Sequence, residues 1–186
     1  MYAPNVVSLI QTFDDPSDGA AIRSLELILT LLECSSDPFS RAQFTPGHIT
    51  CTGLVLAADG ERMLMVHHRR LNRWLLPGGH VEPNDAEIWD VARREVMEET
   101  GAHLVPSAAP ILASLDVHGI PAGKGEPYHL HHDILFHFRA TDDQTRLSPE
   151  SRAVVWCTPR EFDHYAVPDS VRRAYARVRK LSLSPR

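Results

Sequence analysis

The chain has 186 residues, enough for one domain with a sizeable core and a small extension. At 43% hydrophobic and 23% charged, it has the composition of an ordinary soluble globular protein. The formal charge of −5, with no dense basic block, excludes nucleic acid as the expected partner, so an anionic substrate must be received by a local cation such as a metal.

The opening MYAPNVVSLI has no basic segment, so no signal peptide is expected, and FDDPSDG reads as a turn. From Ala20 to Cys34, residues Ile22, Leu25, Ile28, Leu29 and Leu32 recur at helical spacing. They predict an amphipathic helix that docks on the main domain or on a partner subunit, a homodimer being one way to cover it. Leu25 to Leu32 is the longest apolar stretch; it is interrupted by Glu26 and too short for a bilayer, so no membrane partner is expected. SSDPF breaks the helix and TPG marks a boundary, dividing the chain into an extension (1–45) and a main domain (46–186).

Strand signals follow at 49–57 and 62–68, joined by ADG as a hairpin, and then a short apolar run, RWLLPGG. A helix is predicted over 86–100, with Asn84 or Asp85 as its cap, Asn84 and Glu87 as a capping box, and Gly101 as its stop. Strands are expected at 110–119, 128–140 and 151–157, then a helical turn at TPREF and a closing helix in PDSVRRAYARVRK. Cys34, Cys51 and Cys157 are odd in number and form no CxxC pair, which suggests reduced thiols and a cytoplasmic home. The order of elements gives an α+β or α/β fold with a mixed sheet, preceded by a helical extension.

The chemistry concentrates in the central helix. Glu95, Glu98 and Glu99 lie at i, i+3 and i+4, on one helix face, where like charges repel. A hard cation such as Mg²⁺ is held by a few carboxylates together with waters and substrate phosphates, and a rigid helix supplies such a cluster. The negative end of the helix dipole adds to the attraction. Gly78 and Gly79 let backbone approach the same point, so that a carbonyl can join the ligands.

PGGHVE followed by REVMEETG resembles the Nudix box, a glycine, five residues, a glutamate, seven residues and then R-E-apolar-x-E-E-x-G-apolar. Arg94, Glu95, Val96, Glu98, Glu99, Gly101 and Ala102 all match. Between Gly79 and Arg94 the sequence is one residue longer than the pattern, so the EPND loop must absorb it, with Asp85 or Glu87 taking the place of the first glutamate. The resemblance implies an α+β fold, an α/β/α sandwich with the mixed sheet flanked by helices. It implies that Glu95, Glu98, Glu99 and the Gly78 carbonyl hold one or more Mg²⁺ or Mn²⁺ ions, with Arg94 bracing the glutamates. It further implies hydrolysis of a phosphoanhydride in a small nucleoside diphosphate linked to another group, by water attack at phosphorus. A late carboxylate often assists in the family, and Glu150 is the candidate here.

On the strand YHLHHDILFHF, period 2 puts His129, His131, Asp133, Leu135 and His137 on one face, and Tyr128, Leu130, His132, Ile134 and Phe136 on a core-like face. The first set points toward a cleft, where histidines suit phosphate binding or proton transfer. Specificity is assigned to His80, His129, His131 and Asp133, to Arg69, Arg70, Arg73 and Trp74, and to the loop with Lys124, since arginine pairs phosphate and tryptophan stacks on a base. Trp74 reads equally as core. His48 and His80 raise a second reading, the Nudix-fold isopentenyl diphosphate isomerases, which bind metal through histidines and glutamates. Those enzymes carry a cysteine in the loop where this chain has none. A third reading is a non-catalytic nucleotide sensor.

Overall fold

The computed structural model describes residues 3–106, 110–123 and 125–183. Lys124 lies outside them. The chain begins with two helices, α1 (Ala3–Ile10) and α2 (Gly19–Cys34), followed by the strands β1 (Gly47–Leu56), β2 (Met63–His68), β3 (Arg73–Leu75) and β4 (Gly78–His80). Then come α3 (Ile88–Thr100), β5 (Ile111–Ile120), β6 (His129–Arg139), β7 (Ser151–Cys157), a 3-10 turn and α4 (Asp169–Leu183).

The strands form one mixed sheet in the order β3-β2-β1-β6-β5, with β4 added to β1 and β7 to β2. One edge of β1 runs parallel to β6 over its whole length, from Gly47↔Leu130 to Leu56↔Arg139. Its other edge is shared: β4 pairs with Thr50 to Thr52, and β2 pairs at Leu56↔Met63. Because side chains alternate along a strand, the two faces of β1 have different neighbours. Ile49, Cys51 and Val55 join the core under α1, α2 and α3, whereas Leu54 and Leu56 join a second core with Ala174, Tyr175 and Val178 of α4. Helices thus cover both faces of the sheet, as expected of the sandwich.

The N-terminal segment belongs to the first core. Val6, Ile10, Phe13, Ile28 and Leu31 are buried together with Ile49, Ile134 and Phe136. Each such aliphatic side chain contributes about 1.5–3 kcal/mol when removed from water. The α2 helix starts at Asp18, whose Oδ1 accepts from Ala21 N at 3.2 Å and whose Oδ2 accepts from Arg173 Nε at 2.9 Å. Arg177 of α4 donates to the Asp14 carbonyl and lies 4.6 Å from the centre of the Phe13 ring. The predicted helix therefore docks on the main domain.

Three elements differ from expectation. The α1 helix lies in the segment considered only for targeting. RWLLPGG forms two three-residue strands, β3 and β4. The central helix begins two residues late, at Ile88, with Glu87 as its N-cap, and Asp90 Oδ2 accepts from Glu87 N at 3.1 Å. Neither Asn84 nor Asp85 caps it, because Asp85 is engaged elsewhere. At the other end Gly101 takes φ +62°, a left-handed cap conformation suited to glycine, and donates to the Met97 carbonyl at 2.9 Å.

Candidate active site

Helix α3 packs over β1 and carries its glutamates to the back of β4. The approach is close: a Cβ on Gly79 would lie 2.2 Å from Glu95 Oε1, so any side chain there would have to displace the Glu95 carboxylate. Arg94 organises the ring of acids. Its Nη1 donates to Glu95 Oε1 at 2.9 Å and to Glu98 Oε2 at 3.2 Å. Its Nε and Nη2 donate to the two oxygens of Asp85, each at 3.1 Å, a two-pronged pairing, and Nη2 also donates to the His80 carbonyl at 2.9 Å. Asp85 is buried, and its Oδ2 also accepts from Glu82 N at 2.8 Å. In this way the extra residue of the EPND loop is accommodated: Asp85 turns inward to Arg94, and Glu87 moves to the head of the helix.

The three glutamates are not equivalent. Glu98 lies at the rim, its side chain 60% exposed, whereas Glu99 is buried. Burial pushes Glu99 up to about 8, the Glu95 carboxylate adds to the rise, and a hydrogen bond from the Gly78 N–H opposes it. Glu95 is also raised, chiefly by burial and in part by Glu98 and Glu82, with Arg94 opposing. Glu150 is exposed just before β7, close enough to Glu99 to raise it further. The cluster therefore holds more negative charge than Arg94 offsets, and a divalent cation is the group that would ionise all of it.

Other predicted residues have internal partners. Arg69 donates to the carbonyls of Pro149 and Ser151 at 3.1 and 3.2 Å, which anchors the Glu150 loop. Trp74 sits 4.9 Å from the His67 ring and 4.8 Å from Tyr165, partly buried against the second core. Arg70 and Arg73 are exposed. Asp133 is buried and accepts from Thr50 Oγ1 at 3.0 Å and Thr52 Oγ1 at 2.7 Å, because β1 presents those hydroxyls in register with it. His129 is 2% exposed, with Nδ1 against the Pro127 carbonyl at 2.9 Å. These contacts turn both residues inward rather than to an open cleft. His80 and His131 are half-buried beside His48, whose ring centroid lies 5.0 Å from each of theirs.

The NUDIX domain family model matches residues 47–178, which includes the strand, loop and helix just described. The chain belongs to the Nudix family. A MutT-like protein of Streptomyces ambofaciens is 31% identical over 61% of this chain, and the match spans only 65% of that relative's length. Among solved structures, a Nudix-family hydrolase from Clostridium perfringens superimposes with a TM-score of 0.53 at 20% identity, covering 74% of this chain and 98% of that one. An Ap4A hydrolase from C. elegans gives 0.51 at 18% identity, covering 72% and 96%. These likenesses confirm the mixed sheet flanked by helices. Among the described residues, no helix is long and apolar enough to cross a membrane.

Within this Nudix chain, two features were only partly visible in the sequence. Asp85 was one of two alternatives, and its two hydrogen bonds to Arg94 decide between them. His48 was noted only beside His80. Its convergence with His131 follows from strand pairing, since His48 faces His131 in the parallel ladder and Thr50 faces His80.

Proposed function

We propose that the chain is a metal-dependent pyrophosphohydrolase that cleaves a phosphoanhydride in a nucleoside diphosphate linked to another group. The observation that carries this reading is the part-buried Glu95 against Gly79 with the buried Glu99 beside it, under-neutralised by Arg94. The donor set fits a hard divalent cation, all oxygen and rich in carboxylate. Glu95, Glu98, Glu99 and the Gly78 carbonyl would hold Mg²⁺ or Mn²⁺, which when bound neutralises phosphate charge and polarises water. Arg94 fixes Glu95 and Glu98 in one orientation, and Asp85 fixes Arg94. The Glu150 carboxylate, near enough to raise Glu99 and carried on the loop that Arg69 anchors, would take the proton of the attacking water. Exposed Arg70 and Arg73 on the β2–β3 turn suit the substrate's outer phosphate. Residues 46–186 would form the catalytic domain, with 1–45 as a docked extension, in a cytoplasmic enzyme.

The test is a substrate panel of ADP-ribose, NADH, dinucleoside polyphosphates and deoxynucleoside triphosphates, in Mg²⁺ and Mn²⁺, with phosphate-containing products followed. Turnover by wild type and its loss in Glu98→Gln support the reading. Wild type as inert as Glu98→Gln throughout overturns it. Tight nucleotide binding without turnover, unchanged by that substitution, would instead identify a sensor. Interconversion of C5 diphosphates without phosphate release would identify an isomerase. Against that last outcome, Cys51, the cysteine nearest the box in sequence, is fully buried under α3.

A further inference from the structure

On the face of β4 opposite the glutamates, imidazoles from three strands meet. His48 of β1, His80 of β4 and His131 of β6 each direct one ring nitrogen into a common space, and these atoms lie within 4.8 Å of one another. The ring centroids are 5.0, 5.0 and 5.3 Å apart. We infer that His48, His80 and His131 form a second metal site, specific for a late first-row cation of the Zn²⁺ class and separate from the carboxylate cluster.

The strongest evidence is His48, which is 1% exposed. Its Nδ1 faces the Gln43 carbonyl at 3.0 Å; since a carbonyl only accepts, Nδ1 carries the proton and Nε2 carries a lone pair. That Nε2 is buried and has no hydrogen-bond partner. Leaving a buried acceptor unpaired costs about 1–3 kcal/mol, and a bound cation removes that cost. A carbonyl on the second nitrogen is also how proteins orient a metal-ligating histidine. His80 and His131 are half-buried, so the cluster is reachable from solvent.

Neutral imidazole is the ligating form, and the His48 tautomer set by the Gln43 carbonyl already presents a free lone pair. Hard cations prefer oxygen, and three imidazoles suit zinc, with water in the fourth position. Zn–N bonds of about 2.0–2.1 Å place tetrahedral nitrogens roughly 3.3 Å apart, so binding draws the rings inward. His129, stacked 5.1 Å from His48, limits the space on one side, and Asp116 holds His118 at 2.9 Å on another. A bound ion would tie β1, β4 and β6 together. It would also fix the His80 peptide, whose carbonyl receives Arg94.

The test uses the full chain in excess Mg²⁺, so that the carboxylates are supplied with a hard ion, and titrates Co²⁺ as a spectroscopic stand-in for Zn²⁺. Wild type is expected to develop ligand-field absorption that saturates at one equivalent and is abolished by Zn²⁺. His80→Asn and His131→Asn, at half-buried positions and checked for folding by circular dichroism, are expected to bind at least tenfold more weakly. Glu98→Gln is expected to bind Co²⁺ as wild type does, whether or not the chain proves to be a hydrolase. Absence of these bands in folded wild type would overturn the site, as would their persistence in both histidine variants. Zinc content of the purified protein, measured by mass spectrometry, gives a second reading: less than a tenth of an equivalent retained after a zinc wash also overturns it.

Discussion

Gly79 and His80 are neighbours in sequence and serve opposite faces of the sheet. Behind Gly79 lie Glu95 and Glu99, oxygen donors whose burial favours protonation in the absence of a cation. Beyond His80 lie His48 and His131, nitrogen donors whose burial favours the neutral ring. The same physical cause, removal from water, leaves both sets short of a cation, but of different kinds. One residue of strand alternation separates the proposed hard site from the proposed borderline one.

Substitutions can separate the two faces. The largest expected effect is Glu95→Gln, which removes a carboxylate from the hard site. Several kcal/mol of lost charge stabilisation corresponds to about a 10³-fold fall in kcat/KM, with Co²⁺ absorption on the histidine face unchanged. Gly79→Ala comes next. Its methyl would displace the Glu95 carboxylate, so activity should fall about 10²-fold with little change in unfolding by denaturant. Equal activity in this variant would mean that the glycine's close approach is irrelevant. Asp85→Asn should reduce activity about 10-fold or more by loosening Arg94, an effect of the size seen when groups that orient metal ligands are changed.

The smallest expected effect concerns stability and pH. Glu99 is raised from 4.5 to about 8 in the folded chain, so the folded state binds more protons than the unfolded state between those values. Metal-free stability should therefore fall as pH rises from 4.5 to about 8. Glu99→Gln should flatten that slope and raise the metal-free melting temperature at pH 8 by several degrees, about 2 kcal/mol. Mg²⁺ should restore wild type at pH 8 and have no such effect on the variant.

How much the sequence revealed depended on how local the signal was. REVMEETG, its glycine stop and the strand limits are local patterns, and they were readable. So was the period-2 split of His129, His131 and Asp133, although their burial was not, because it depends on the β1 hydroxyls and the Pro127 carbonyl. The start of α3 was misplaced because Asn84 and Asp85 both look like caps, and nothing local shows that Arg94, nine residues on, claims Asp85. The three-residue strands β3 and β4 exist only through pairing with β2 and β1. The histidine cluster needs three strands in register, information that no short window contains.

The parallel ladder between β1 and β6 also bears on the order in which the molecule assembles. Thr50 and Asp133, which it brings together, are 83 positions apart, and such distant pairing is slow because a large loop must close first. The loop–helix segment from Gly78 to Glu99 spans few residues and can organise early. The histidine face cannot form until β6 has docked. During refolding, the onset of Co²⁺ colour would time the final closure of the sheet.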